Sequence, residues 1–285
     1  MLLRPENDPM GQAISDYFHK RKTCKLFTST HLTASDELPV PYLFRTYDEM
    51  PEIEQRALNM ACGRVLDVGA GAGAHSACLK SKGVDVTSID SSVLSVEVMQ
   101  QRGLNAVAAD FFEFSESPFD TLLFLMNGAG MSGTLGGLPR FFEKCKSLMA
   151  KDGQILLDSS DLIYLYAEED GSCTIDLNGD YYGEMLFSAR YRNIRSEKFK
   201  WLFVDFETLK HEAFKSGLKC EKVLDGPHFD YLARLTMRPL RVEAISDIGK
   251  SESESSDEKI FSCFNHLCPL ACAKMNMAVL TSESR

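Results

Sequence analysis

The hydrophobic positions along this chain change period at Arg64. Before it, Met10, Ile14, Tyr17 and Phe18 in one stretch, and Met50, Ile53, Ala57, Leu58 and Met60 in another, fall at helical spacing. Two helices are therefore predicted, over 9–22 and 47–62, in an N-terminal arm of residues 1–63. Between them Pro39 and Pro41 restrict themselves and their predecessors, so 38–42 must be extended or turning. From Arg64 onward short apolar runs alternate with amphipathic stretches, the pattern of a doubly wound parallel sheet. Strands are predicted at 64–68, 84–89, 106–109, 121–126 and, after the Asp152-Gly153 turn, 154–158. Helices are predicted at 75–82, 93–102 and 138–149.

Residues 161–205 interrupt that alternation with two runs, 184–191 and 199–204, that read as an inserted antiparallel hairpin. Helix 206–216, closed by Gly217, leads to runs 219–224 and 231–235, an antiparallel pair that completes the sheet. The expected fold class is α/β. A doubly wound, mostly parallel seven-stranded sheet spans 64–236, with the helical arm before it and the hairpin inserted in it. Residues 237–285, including the acidic low-complexity run 251–259, are expected to form a disordered tail. Cys263, His266, Cys268 and Cys272 in that tail do not match a paired zinc-ligand pattern, and no metal is expected.

Composition narrows the classes of function. With 285 residues, 44% hydrophobic and 25% charged, the chain can bury a sizeable core. No apolar run is long enough to span a bilayer, and residues 1–10 lack the apolar core of a secretory signal. Nine cysteines without repeating spacing suit a reducing compartment, so a cytoplasmic location is expected. The net charge of -10 argues against nucleic acid as a partner, since the basic stretches 19–22 and 190–200 read as solvated faces. Oligomeric state is not legible.

The densest chemistry lies where the first core strand runs through Asp67 into Gly69-Ala70-Gly71-Ala72-Gly73 and a helix. Glycines allow a tight turn and close approach of a ligand, and the helix start offers free N–H groups. Three readings compete there: an empty turn, a dinucleotide site, or a site for a ligand carrying an ammonium. Asp67 beside a pyrophosphate would be unfavourable and disfavours a nicotinamide oxidoreductase. Three further positions fall at successive strand ends. Asp90, followed by Ser91, can accept both hydroxyls of a ribose. Asp110 and Phe111 pair an acceptor for an exocyclic amine with a flat apolar surface. Met126 and Asn127 follow the fourth strand. Together they outline one nucleoside.

Val65-Leu-Asp-Val-Gly-Ala-Gly-Ala-Gly73, Asp90, Asp110-Phe111 and the run 119–127 resemble the successive motifs of class I S-adenosylmethionine-dependent methyltransferases, over roughly 64–235. The resemblance implies the Rossmann-like methyltransferase fold and S-adenosyl-L-methionine as cofactor. It places Gly69, Ala70 and Gly71 at the methionine moiety, Asp90 at the ribose, and Asp110 with Phe111 at the adenine. Asp67, Gly73, Ser91, Met126 and Asn127 complete the expected cofactor set. Asn127-Gly-Ala-Gly130 lacks the proline-containing fourth motif of enzymes that methylate amino groups of bases or glutamine. Cys78 and Cys145 fall in predicted helices and read as core thiols.

A sulfonium methyl is already activated, so the protein must chiefly align the nucleophile and exclude water. Where a base is needed, Asp158, Asp161, His228 and Tyr231 are candidates by position, each with a plainer reading as a cap or turn residue. Tyr42, Arg45 and Tyr47 of the arm are expected at the substrate. Arg45 could hold an anionic group or brace the arm against an acid. A small-molecule acceptor is the leading expectation, and a non-catalytic module of the same fold is the alternative.

Overall fold

The computed structural model describes residues 2–239 except 117, 169, 171, 176 and 177. The expectations for the tail beyond residue 239, including Cys263, His266, Cys268 and Cys272, lie outside the described residues. In chain order the elements are α1 (Pro9–Phe18), β1 (Leu26–Ser29), β2 (Asp36–Leu38), α2 (Glu52–Met60), β3 (Arg64–Val68), α3 (Ala74–Ser81), β4 (Asp85–Asp90), α4 (Val93–Gln101) and β5 (Ala106–Ala108). Then follow β6 (Phe119–Phe124), α5 (Leu138–Leu148), β7 (Met149–Ser160), β8 (Glu184–Tyr191), β9 (Ile194–Arg195), β10 (Phe199–Leu202), α6 (Phe206–Lys215), β11 (Leu218–Asp225) and β12 (Asp230–Met237).

The central sheet has seven strands in the order β11-β12-β7-β6-β3-β4-β5. Strands β7, β6, β3, β4 and β5 run parallel; β12 is antiparallel to β7, and β11, antiparallel to β12, returns to the common direction. Both faces are covered, which is why these strands read as nearly continuous apolar runs. Leu66 and Val68, Leu122 and Phe124, and Ile155 and Leu157 pack on one side with residues of α5 and α6. Val65, Leu123 and Leu156 point to the other side, toward Ile53, Ala57 and Leu58 of α2. The parallel order reverses between β3, which leads to β4, and β6, which lies on its other flank, and ligands of such sheets bind at that crevice.

Two features depart from the hydrophobic pattern. The Asp152-Gly153 pair does not precede β7 but lies within it, as an irregularity where Phe119 faces Met149 and Thr121 faces Gln154. The arm also carries strands as well as helices. β1 pairs with β2 and, through Leu26 opposite Tyr191, with β8 of the insertion, giving a second antiparallel sheet in the order β10-β8-β1-β2. Tyr191 fixes this junction. Fully buried, it donates its hydroxyl to Asp16 on α1 at 3.1 Å and accepts from the Cys24 backbone N–H at 3.2 Å.

Candidate functional site

The glycine segment leaves the carboxyl end of β3 and reaches α3 with Gly69, Gly71 and Gly73 all at positive φ (72°, 56° and 79°). A Cβ on Gly71 would meet nothing within 4 Å, because that position opens on a cavity. The Gly71 N–H donates to Asp90 Oδ2 at 2.8 Å, and the Ser92 N–H donates to Asp90 Oδ1 at 2.8 Å. Burial pushes the Asp90 carboxyl up to about 6, against those two hydrogen bonds, with the charges of Asp8 and Asp67 adding to the rise. Asp67 is buried and accepts from Ser76 Oγ at 2.6 Å; burial raises its carboxyl too, opposed by His75 and Ser76.

Two adjoining cavities open at the carboxyl ends of the strands. The first, about 410 Å³, is lined by Gly69, Gly71, Asp90, Ser91, Asp110 and Phe111 among others. The second, about 440 Å³, is lined by Asp67, Gly69, Ala70, Gly71, Met126 and Asn127 among others. They share Met10, Val68, Gly69, Gly71, Met131 and Trp201. Ten of the expected cofactor residues therefore border these two adjoining cavities. The other, Gly73, lines neither cavity: a Cβ there would sit 2.5 Å from Leu104 Cδ1, so its place is in the packing of α3.

The turn after β6 is held in an unusual conformation. Met126 and Asn127 both have φ of 61°, which costs roughly 1 kcal/mol or more for a residue with a Cβ. Neighbours lock it there. The Asn127 N–H donates to Asp158 Oδ1 at 2.8 Å, its Nδ2 donates to the Leu202 carbonyl at 3.1 Å, and Ser159 Oγ donates to its Oδ1 at 2.8 Å. The turn thus ties the sheet edge to β10. Burial pushes the Asp158 carboxyl up to about 7, opposed by the Asn127 hydrogen bond.

The arm residues expected at the substrate separate. Arg45 lines the second cavity, with Nε and Nη2 donating to Glu54 of α2 at 3.0 Å and 2.6 Å. It braces the arm. Tyr42 lies under the guanidinium, 4.1 Å from ring centre to Cζ, and Tyr47 turns to Lys82 and Asn59; neither lines either of these two cavities. The candidate bases disperse likewise. Asp161 accepts from Tyr182 Oη at 2.7 Å, the His228 N–H donates to Asp230 in the β11–β12 turn, and the buried Tyr231 hydroxyl donates to the Val204 carbonyl at 2.7 Å. Cys78 lies on α3 and is half-buried, and Cys145 lies on α5 and is buried.

Several lining residues carry no local signal in the sequence. Leu3, Asp8 and Met10 border the first cavity because the Leu3 N–H donates to the Ser91 carbonyl at 2.9 Å and Ser92 Oγ donates to Asp8. Asp8-Pro9 reads as a helix start, and Asp8 does accept from the Gly11 N–H, yet nothing local says that this helix packs against α4. Trp201 borders both cavities and reaches them because Gly130 has no side chain: a Cβ there would lie 2.0 Å from the indole Nε1. His75 joins Arg45 and Glu54 in a buried cluster, its Nε2 3.1 Å from Glu54 Oε2. Its position, two residues past the last glycine, was the available clue.

No protein-family model and no curated protein matches the chain. Among solved structures, a SAM-dependent methyltransferase from Bacteroides fragilis in complex with S-adenosyl-L-homocysteine is similar at 46% identity and a TM-score of 0.79, covering 84% of this chain and 98% of that one. The CcbJ methyltransferase from Streptomyces caelestis is similar in fold alone, at 15% identity and a TM-score of 0.50 over 68% of this chain and 95% of that one. With the strand-end residues gathered around two adjoining cavities and this degree of identity over most of its length, the chain belongs to the S-adenosylmethionine-dependent methyltransferases.

Proposed function

We propose that the first cavity holds the adenosine part of S-adenosylmethionine and that the second holds its methionine end together with a small, largely apolar methyl acceptor. The observation that carries this is that the two cavities adjoin, with Gly69, Gly71, Met131 and Trp201 lining both. Asp90 presents two carboxylate oxygens to a ribose, Ser91 and Asp110 add polar edges, and Phe111 offers a flat face for adenine. Asp67 and the loop 69–71 face the methionine end, where an ammonium suits the acid. When bound, the cofactor supplies an activated methyl group. The protein's part is then to orient the acceptor and exclude water.

No helix among the described residues is long and apolar enough to cross a membrane. The described cysteines are all free, which supports a reducing, cytoplasmic setting, and the net charge of -10 supports a small molecule over nucleic acid as acceptor.

Calorimetry with S-adenosylhomocysteine tests the cofactor site: saturable one-to-one binding, weakened by Asp90→Ala, is expected. Absence of binding to folded protein at high micromolar ligand would reject it. Transfer of labelled methyl from S-adenosylmethionine into an extract of small metabolites, with none into added RNA or protein, tests the acceptor class.

A further inference from the structure

The second cavity divides by chemistry. Its outer wall is Phe187 and Trp201 of the insertion's strands, exposed Phe199, Phe203, and Leu38 and Leu43 of the arm. Its inner end carries Asp67, His75 and Arg45. The charge of Arg45 is met by Glu54, so the lining offers little to an anionic acceptor. A cationic acceptor would face the sulfonium across an apolar space, where like charges repel strongly. An uncharged, flat, apolar compound fits this wall, and where its nucleophile is a hydroxyl a proton has to be taken up.

His75 is placed to take that proton. It is the second residue of α3 and only 6% exposed. Its Nε2 lies 3.1 Å from Glu54 Oε2 and 3.3 Å from Arg45 Nη2. Arg45 can only donate and already donates to Glu54, so the carboxylate makes Nε2 the protonated nitrogen. The lone pair is then on Nδ1. Among the described residues Nδ1 has no hydrogen-bond partner, and none of their fully buried side-chain nitrogens and oxygens lacks one, so Nδ1 opens on the cavity that His75 lines.

We propose that His75 is the proton acceptor of methyl transfer and that its substrate is a flat, uncharged compound bearing a phenolic hydroxyl, seated against Trp201. The inference rests on the cofactor reading above. As the hydroxyl oxygen bonds to the methyl carbon, its proton passes to Nδ1. The sulfur–methyl bond breaks with its electron pair kept by sulfur, leaving neutral S-adenosylhomocysteine and a methyl ether. The imidazolium, held by Glu54, returns its proton to water.

The probe is 2-naphthol, whose excited state surrenders its proton to a base in hydrogen-bond reach and then emits at the longer wavelength of naphtholate. Trp201 is the chain's single tryptophan, so its fluorescence reports occupancy of the site. With protein saturated in S-adenosylhomocysteine, 2-naphthol should quench Trp201 saturably, and with protein in excess, so that no free 2-naphthol adds the naphtholate it forms in water, excitation beyond the tryptophan band should give naphtholate emission. In His75→Gln, quenching and S-adenosylhomocysteine affinity should persist while the naphtholate band is lost. Bound naphthol that emits only as the neutral form in the native protein, or an unchanged naphtholate band in His75→Gln, would overturn the assignment of the base. The native arm decides this even if the variant does not fold. Absence of saturable quenching in cofactor-loaded protein would overturn the acceptor class, whereas failure of S-adenosylhomocysteine itself to bind would reject the cofactor reading instead.

Discussion

The backbone N–H of Gly71 donates to Asp90 Oδ2 at 2.8 Å, so the glycine loop after β3 is anchored to the carboxyl end of β4 before any ligand arrives. One carboxylate therefore shapes the loop and offers its remaining lone pairs to the cavity. Asp90→Ala removes both functions. Loss of charge-assisted hydrogen bonds at roughly 1.5–3 kcal/mol each predicts that S-adenosylhomocysteine affinity falls on the order of 100-fold or more, measured by calorimetry. Asp90→Asn should fall less, because an amide oxygen can still accept from Gly71.

Acid should move stability and cofactor affinity in opposite directions. Burial raises the Asp90 carboxyl to about 6 and that of Asp158 to about 7. Each raised group binds more protons in the folded state, so its stabilising contribution is fully present below the unfolded value and is lost as pH climbs through 6 and 7. Asp8 and Asp67 shift the same way and Glu54 the opposite way. The ligand-free protein should therefore melt higher at pH 5.5 than at 7.5, and Asp158→Asn should flatten that dependence. S-adenosylhomocysteine should bind more weakly below about pH 6, where Asp90 can no longer accept from both ribose hydroxyls.

Gly130→Ala should displace the indole of Trp201, since the new Cβ would stand 2.0 Å from Nε1. Overpacking of this kind costs about 1–3 kcal/mol. Thermal denaturation should record the loss, and the emission maximum of the lone tryptophan should shift. An unchanged spectrum would contradict the packing of Trp201 on the turn after β6.

The N-terminal segment closes the first cavity through Asp8, which caps α1 and accepts from Ser92 at the start of α4. Asp8→Ala should destabilise the cap by about 1 kcal/mol and speed release of S-adenosylhomocysteine. Stopped-flow fluorescence of Trp201 would measure the release. A large loss of affinity with an unchanged release rate would count against this closure.

Local signals carried the core of the molecule. β3, β6 and the parallel order follow from apolar runs buried on both faces, and the strand-end acids are legible because each stands where a run stops. What the sequence hides is contact between distant segments. β1 and β2 are short and half polar, and Pro39 follows β2, so they resemble loop; their strand character comes from pairing with each other and, through β1, with β8. Arg45 could be read toward a substrate or toward a brace, and only the position of Glu54 on α2 decides its contacts. His75 is not legible as a site residue because nothing in its neighbours announces Glu54, 21 residues earlier in the chain.

The pairing of β1 with β8 also bears on how the protein is made. Tyr191 meets the Cys24 backbone across 167 residues of chain, so the roof over the second cavity cannot assemble until most of the polypeptide has left the ribosome. The glycine loop, β4 and β5 lie close together in sequence and close early. A nascent chain thus carries an open platform first and encloses the reactive space last, and substitutions at the β1–β8 seam should slow maturation more than they alter the platform beneath.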